Sequence, residues 1–467
     1  EGVVAPLNRG GDVQGAVLEH GVVRSSPGFA EAFHALGDGG WLGLSASPEH
    51  GGMGLPQTMT VMFNDMMAAS CMSLGLNPLL TQGQIEALEH HASDEIKAMY
   101  IPKLVTGEWT GTMNLTEPQA GSDVGALKSK AEPNGDGSYA ISGQKIYITW
   151  GDHDFGGNVC HLVLARLPDA VAGVKGISLF MVPKFLPNAD GSLGEANSLK
   201  VVSLEHKMGI HGSPTCVMQY DGAKGWLVGA PHKGMAAMFT MMNNARLNVG
   251  VQGVGVAEAA YQHALAYAKD RQQMGPIIQH ADVRRMLLTM KAETFASRAI
   301  AMACGTAIDM ATATGEPEWN ARAALLTPIA KAFGSEAGMR VAEHGVQIFG
   351  GMGFIEDPTK PKALTQRCQA TEIRAIAVHG VDALSDDEDN TLEGRLLVEH
   401  ELERIEVIVR EATETRARGH NTFKHARMHQ AVCEDDVTRL GQATKDGRIR
   451  RKARVQDQAM RIALPRS

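Results

Sequence analysis

Three textures of hydrophobic patterning divide the chain. From residue 1 to 108 apolar positions recur at helical spacing between Gly-rich joints. Within 58–79, Met59, Met62, Phe63, Met66 and Met67 fall on one helical stripe, which predicts a helix whose flexible thioethers fill irregular gaps in the core. From 109 to 225 the pattern changes to short alternating runs, at 139–141, 145–149, 161–165, 177–182 and 216–220, separated by Gly, Pro, Asn and Asp. These predict strands of a small β domain. From about 226 the helical period returns in Ala-, Met- and Leu-rich segments, notably 249–269 and 283–312. The expected organisation is a helical domain over 1–108, a central β domain over 109–225, a helical domain over 226–384, and a divergent charged tail, partly helical, over 385–467.

Two runs in the β region carry candidate chemistry. LTEPQAGSD at 115–123 places a Thr-Glu-Pro turn before small residues, leaving backbone N–H groups and two hydroxyls to meet an anionic or carbonyl-rich ligand. GQKIYITWG at 143–151 alternates Ile146, Ile148 and Trp150 against Lys145, Tyr147 and Thr149. A strand there presents Tyr147 and Thr149 together, an aromatic plane beside a hydroxyl, which suits a flat heteroaromatic cofactor. A capped turn and an edge strand are the structural alternative. Gly250, Gly253 and Gly255 imitate a dinucleotide-binding glycine pattern, but no strand precedes them and the segment continues as helix. Close helix packing is the expected use of those glycines.

These two runs, in this order, resemble the acyl-CoA dehydrogenase family of flavoproteins. The likeness extends through GWLG at 40–43, PEHGGMGL at 48–55, ASDEIKAMYIPKLVTG at 92–107, KMGIHGSPT at 207–215, RQQMG at 271–275 and QIFGGMGF at 347–354. It runs from about residue 1 to 357. Within the family, TGEWTGTMNLTEPQAGSD and FTMMNNARLNVG are most similar to the 3-(methylthio)propanoyl-CoA dehydrogenase branch. The resemblance implies a multidomain α+β fold, a helical bundle interrupted by a β-barrel-like domain.

The same resemblance implies roles for individual residues. Leu115 and Thr116 would meet the flavin of FAD at its pyrimidine edge, and Ser122 its pyrophosphate. Tyr147 takes the place of a shielding aromatic, usually Trp, and Thr149 would bond near the hydride-accepting N5. Arg271, Gln347, Gly350 and Gly351 would reach the FAD of a neighbouring subunit, implying a homodimer or homotetramer. Arg246 would lie near the thioester end of the acyl-CoA. The implied reaction is α,β-dehydrogenation of a short or medium acyl-CoA to the 2-enoyl-CoA, with electrons passed to an electron-transfer flavoprotein; 3-methylthiopropanoyl-CoA is a candidate substrate.

The resemblance breaks at the base. Family members carry it in a Tyr-Glu-Gly-Thr-type motif after the glycine turn, where this chain offers Arg374 or Ile376; some relatives place a Glu immediately before the position of Arg246, where this chain has Ala245. Glu372 is the weak remaining candidate. A flavin- or CoA-binding protein without turnover, and another flavin reaction on the same fold, therefore stand as alternatives.

Composition adjusts this picture at the edges. The 467 residues suffice for several domains with a large core. The net charge of −8 gives no electrostatic reason to expect nucleic acid. Six scattered cysteines, without a Cys-x-x-Cys pair, read as reduced thiols of a cytoplasmic protein rather than a disulfide frame or a metal site. No apolar run reaches membrane-spanning length, and the first residues lack a signal-peptide pattern. The chain begins without Met, so its true start is expected upstream. Beyond 358 charged residues become dense and Phe423 is the sole aromatic. Positions 396–412 keep amphipathic spacing, 385–390 reads as a solvated linker, and 445–454 as a basic tail. A shift of reading frame near 358 is a second explanation for this divergence.

Overall fold

The structure is a computed structural model that describes residues 2–355. Glu372, Arg374, Ile376 and the expected 385–467 tail lie outside the described residues. The N-terminal part holds α1 (Leu7–Val13), the hairpin β1 (Val17–Glu19) and β2 (Val22–Arg24), α2 (Phe29–Asp38), α3 (Gln57–His91) and α4 (Asp94–Thr106). The strands that follow are β3 (Trp109–Asn114), β4 (Lys130–Pro133), β5 (Tyr139–Thr149), β6 (Asn158–Arg166), β7 (Ile177–Pro183), β8 (Phe185–Pro187), β9 (Leu193–Ala196), β10 (Leu199–Leu204) and β11 (Thr215–Val228). Three long helices and a short one complete the described chain: α5 (Gly234–Asp270), α6 (Ala281–Thr314), α7 (Pro317–Phe349) and α8 (Gly351–Phe354).

The sheet closes on itself. Pairing runs β11–β5–β4–β6 and returns through β7, which pairs with both β6 and β11; β10 and β3 extend it outside that ring. Closure removes the exposed edges that an open sheet presents. Ile141, Ile148, Val163, Phe180, Val182, Met218 and Tyr220 fill the barrel-like interior. The runs at 139–141 and 145–149, separate in the sequence pattern, are one bent strand.

Two features were hidden from the hydrophobic pattern. The first is a hairpin inside α3. Cys71 leaves the helical region (φ −158°, ψ 89°), and Asn64 Nδ2 donates to Gln82 Oε1 at 3.2 Å. Eighteen residues of straight helix would hold those side chains about 27 Å apart, so the helix folds back at Cys71. One consequence corrects the Met stripe: Phe63 and Met67 are buried, whereas Met59, Met62 and Met66 face outward, Met66 with 59% of its surface exposed. The first arm of the hairpin buries only the face turned toward its neighbours, and the apolar residues spill beyond that face.

The second feature is a bulge in β5. Lys145 lies opposite Met218 and Ile148 opposite Cys216, so β5 spends one more residue than β11 over the same interval. The extra position falls at Tyr147, whose φ is 61°. Alternation therefore changes phase: Lys145 and Ile148 both point inward, while Tyr147 points out.

The glycines of α5 have the packing use expected of them. A Cβ at Gly250 would collide with the Ala330 carbonyl of α7, and one at Gly253 with the Gly334 carbonyl. Among the described residues Cys71, Cys160, Cys216 and Cys304 are free and buried, no His/Cys/Asp/Glu cluster could hold a metal, and no helix is long and apolar enough to cross a membrane.

Candidate functional site

The turn after β3 is built around one carboxylate. Glu117 is buried, and its Oε1 accepts from Lys145 Nζ (2.8 Å), Ser129 N (3.0 Å) and Ser129 Oγ (2.6 Å). Its Oε2 accepts from Lys128 N (2.7 Å) and Gln119 Nε2 (2.6 Å). Lys145 Nζ also donates to the Leu115 carbonyl at 2.9 Å, and Ile146 N to the Thr116 carbonyl at 2.9 Å. The 115–123 turn is thus bolted to β5 from beneath. Burial alone would raise the Glu117 carboxyl, but the Lys145 ammonium and these donors bring it down to about 2. Complete burial depresses Lys145 to about 8, against the pull of Glu117.

This buried pair overturns one sequence expectation. Alternation placed Lys145 on the outward face with Tyr147 and Thr149; the bulge turns it inward, to 0% exposure. Tyr147 remains outside, 61% exposed, and Thr149 is half-buried beside its partner Thr215. An exposed aromatic plane, the half-buried Thr116 and Thr149, and the exposed Ser122 therefore ride on a rigid base. None of the described hydrogen bonds uses the N–H groups of Gly121 or Ser122, which leaves donors at the tip for an anion. Trp150 ends the strand and ties the barrel to the helices. It is buried, and its indole N–H donates to the Ser73 carbonyl (3.1 Å), just past the hairpin turn of α3.

Arg246 lies on α5 and is mostly buried. Its Nη1 donates to Asn243 Oδ1 at 3.0 Å, its guanidinium sits 5.4 Å from the Phe239 ring, and its Nη2 has no hydrogen-bond partner among the described residues. Met242 and Ala245, on the adjoining stripe of α5, pack against the large apolar cluster that Leu115 also packs against. Asn244, on another face, donates to Glu86 at 2.7 Å and connects through Asn248 and Asn64 to Gln82 in a buried polar ladder. Burial raises the Glu86 carboxyl above its ordinary value.

The remaining predicted residues form a second group. Tyr267 stacks on Phe349 at 4.3 Å, which brings the ends of α5 and α7 together. Arg271 follows that stack on one side, and Gln347, Gly350 and Gly351 flank it on the other; all four are exposed. Gly350 has φ 60°, ψ −134°, a backbone geometry open to glycine. No described hydrogen bond or ion pair joins this group to Thr116, Tyr147 or Thr149. The structure thus assembles two clusters, one around β5 and one at the bundle end. Sequence reasoning missed Glu117, Lys145, Glu86 and the buried Lys331 of α7. The signal for the first two was present, one opposite charge in each of the two informative runs.

Three family models match in order: acyl-CoA dehydrogenase, N-terminal domain, over residues 20–108; middle domain, over 112–223; and C-terminal domain, over 232–375. The chain belongs to the acyl-CoA dehydrogenase family. It is 51% identical over 368 residues to a 3-methylmercaptopropionyl-CoA dehydrogenase of Ruegeria pomeroyi, a match covering 76% of this chain and 63% of that relative. It is 37% identical over 393 residues to a butyryl-CoA dehydrogenase of Syntrophomonas wolfei, covering 79% of this chain and 64% of the relative. The chain thus spans less than two thirds of these curated relatives. Among solved structures it is similar to an acyl-CoA dehydrogenase complexed with FAD from Bacillus anthracis, with TM-score 0.65 and 25% identity over 75% of this chain and 59% of that one.

Proposed function

We propose that this chain forms the FAD- and acyl-CoA-binding part of an acyl-CoA dehydrogenase that oxidises the α,β bond of a short or medium acyl-CoA to the 2-enoyl-CoA. The observation that carries this reading is the Tyr147–Thr149 face held over the buried Lys145–Glu117 pair. The donor set fits FAD: an exposed ring for the flavin plane, hydroxyls at Thr116 and Thr149, and Ser122 with unengaged N–H groups for the pyrophosphate. When bound, the flavin supplies a hydride acceptor.

The chain's own residues provide the surroundings of that chemistry. The 115–123 turn and β5 fix where the ring plane rests, because both are locked to the same carboxylate. Met242 and Ala245 give the stripe of α5 beside Arg246 an apolar surface, which would exclude water from an acyl thioester bound near Arg246. Arg246, mostly buried, would supply positive charge near the thioester end, where charge develops as the α-proton leaves. Arg271, Gln347, Gly350 and Gly351, apart from the β5 face, would reach the FAD of a second copy, in a homodimer or homotetramer. An electron-transfer flavoprotein is the proposed electron acceptor. Glu372 is the candidate base.

A second reading, binding without turnover, draws on Ala245, which leaves that helix position without a carboxylate. One experiment separates them: anaerobic titration of the purified protein with 3-methylthiopropanoyl-CoA and butyryl-CoA, following flavin absorbance. Bleaching supports dehydrogenation. A yellow protein that binds either ester without bleaching supports the second reading, and a protein that retains no flavin overturns both.

A further inference from the structure

One peptide unit of the 115–123 turn is gripped from the inside only. The Leu115 carbonyl accepts from Lys145 Nζ at 2.9 Å, and the Thr116 carbonyl, one residue on, accepts from Ile146 N at 2.9 Å. Among the described residues, no hydrogen bond uses the Thr116 N–H. That N–H and the Leu115 carbonyl are two ends of the same peptide. The peptide is trans, so the two groups point in opposite directions across its plane. Lys145 is 0% exposed and Thr116 half-buried. The N–H therefore turns away from the buried ammonium, toward the outer side of the turn.

Charge reaches this peptide from one end of the buried pair. Glu117 shares its negative charge among four further donors, Ser129 N, Ser129 Oγ, Lys128 N and Gln119 Nε2. Lys145 is less well supplied. Glu117 is the only charge among the described residues that bears on it, and its second hydrogen bond goes to Leu115. An ammonium bonded to a carbonyl draws electron density along the peptide and strengthens the N–H at the far end as a donor. Burial keeps this polarisation from being screened by water and salt. The strengthened donor lies in the same turn as the unused N–H groups of Gly121 and Ser122.

We propose that Lys145 acts through the Leu115–Thr116 peptide as a positioning residue, and that this polarised donor makes the site hold reduced flavin more tightly than oxidised flavin. The inference rests on the FAD reading above and names the redox state that the site selects. Two-electron reduction leaves more negative charge on the flavin ring, so a strengthened donor gains more from the reduced form. Both electrons come from the acyl-CoA in the proposed reaction, and from an added chemical reductant in the test. Glu117 holds Lys145 in place and at the same time offsets its charge. Removing the carboxylate charge and removing the ammonium charge should therefore move the balance in opposite directions. Loosening of the turn would move it the same way in both cases.

The test uses the full chain loaded with FAD at pH 7, reduced slowly beside a reference dye, with the oxidised-to-reduced ratio read by absorbance. Bound FAD in the wild type should lie at least about tenfold further toward the reduced form than free FAD, or about 30 mV for a two-electron couple. Glu117→Gln, which keeps the ammonium, should move the ratio further toward reduced. Lys145→Met combined with Glu117→Gln differs from that variant only in the ammonium, and should fall about tenfold toward oxidised relative to the wild type. The double variant is used because Lys145→Met alone strands a buried carboxylate. Wild-type FAD no easier to reduce than free FAD would overturn the inference whether or not the variants fold. So would equal ratios in the two variants, or shifts of one sign in both. The FAD reading survives each of those results, whereas a wild-type protein that retains no FAD would overturn that reading and this inference with it.

Discussion

Lys145 and Lys331 are both buried and both depressed to about 8, yet they are opposite kinds of residue. Lys145 has its charge answered within the fold, by the Glu117 carboxylate at 2.8 Å and the Leu115 carbonyl at 2.9 Å. Lys331 faces a second cation. The same depression arises once from desolvation offset by a partner and once from desolvation deepened by repulsion. The difference separates a lysine whose charge is answered by a described partner from one whose described neighbours leave it unanswered. A pKa alone cannot make that distinction; the partner list does.

The comparison breaks first at Lys145. Lys145→Met strands a buried carboxylate and should cost about 3–5 kcal/mol, read by denaturant unfolding, whereas Lys331→Met costs nothing. Pairing it with Glu117→Leu should recover part of that loss, since the double variant buries no unmatched charge. Strictly additive losses would show that the ion pair does not couple the turn to β5.

Acid should sharpen the contrast next. His153, which shares a 2.7 Å hydrogen bond with Thr110 Oγ1, and His161, at 2.7 Å from Thr112 Oγ1, are both depressed to about 3 by burial and then by Lys184. Folded pKa values below the unfolded 6.5 mean that the unfolded chain binds more protons between pH 6.5 and 3. Stability therefore falls as pH drops through that window, by up to about 1.4 kcal/mol per pH unit for each histidine. Glu117 adds its own loss below pH 4.5, as its carboxyl is protonated toward about 2. His153→Gln should flatten the upper part of the slope. Equal slopes in variant and wild type would place the acid-sensitive groups elsewhere.

What the sequence made legible follows from the range of each signal. Local periodicity found the strands and long helices, because each element writes its own pattern. The two site-bearing runs were visible because turn chemistry and an aromatic strand lie within a few residues of each other. The Lys145–Glu117 pair was not, because one inserted residue at Tyr147 reverses the inward face, and alternation carries no mark of where a bulge falls. Cys71 hid the α3 hairpin for a similar reason: the apolar residues continue through the reversal without a Gly or Pro at the bend. Lys331 could not be seen at all. Its meaning depends on Arg246, 85 positions away, and on the glycine contact that brings α7 against α5.

That glycine contact offers a smaller test. Gly250→Ala puts a methyl against the Ala330 carbonyl and should cost about 1–3 kcal/mol by forcing α5 and α7 apart. Gly305→Ala on α6 is the control, since its nearest neighbours lie at 3.3–3.5 Å and alanine favours a helix. If Gly250→Ala melts like the wild type, the helices yield easily and the contact does not fix the spacing between Lys331 and Arg246.

Tyr147 should give the smallest change in stability, with the opposite sign to its change in binding. Its φ of 61° is a left-handed conformation, uncommon for a bulky residue, and its exposed ring gains little packing within the chain. Replacing it with glycine relieves backbone strain of about 1–3 kcal/mol but adds unfolded-state entropy of about 0.5–1 kcal/mol. The variant should therefore melt at or slightly above the wild-type temperature. Loss of an aromatic plane worth about 0.5–1.5 kcal/mol should weaken flavin retention about two- to tenfold, measured by dialysis against flavin-free buffer. Tyr147→Trp should retain flavin without the gain in stability, because it keeps both the ring and the strain. A Tyr147→Gly protein that melts lower and still holds flavin like the wild type would mean that the bulge is a packing feature. The outward ring would then have no part in the site that the Lys145–Glu117 pair supports.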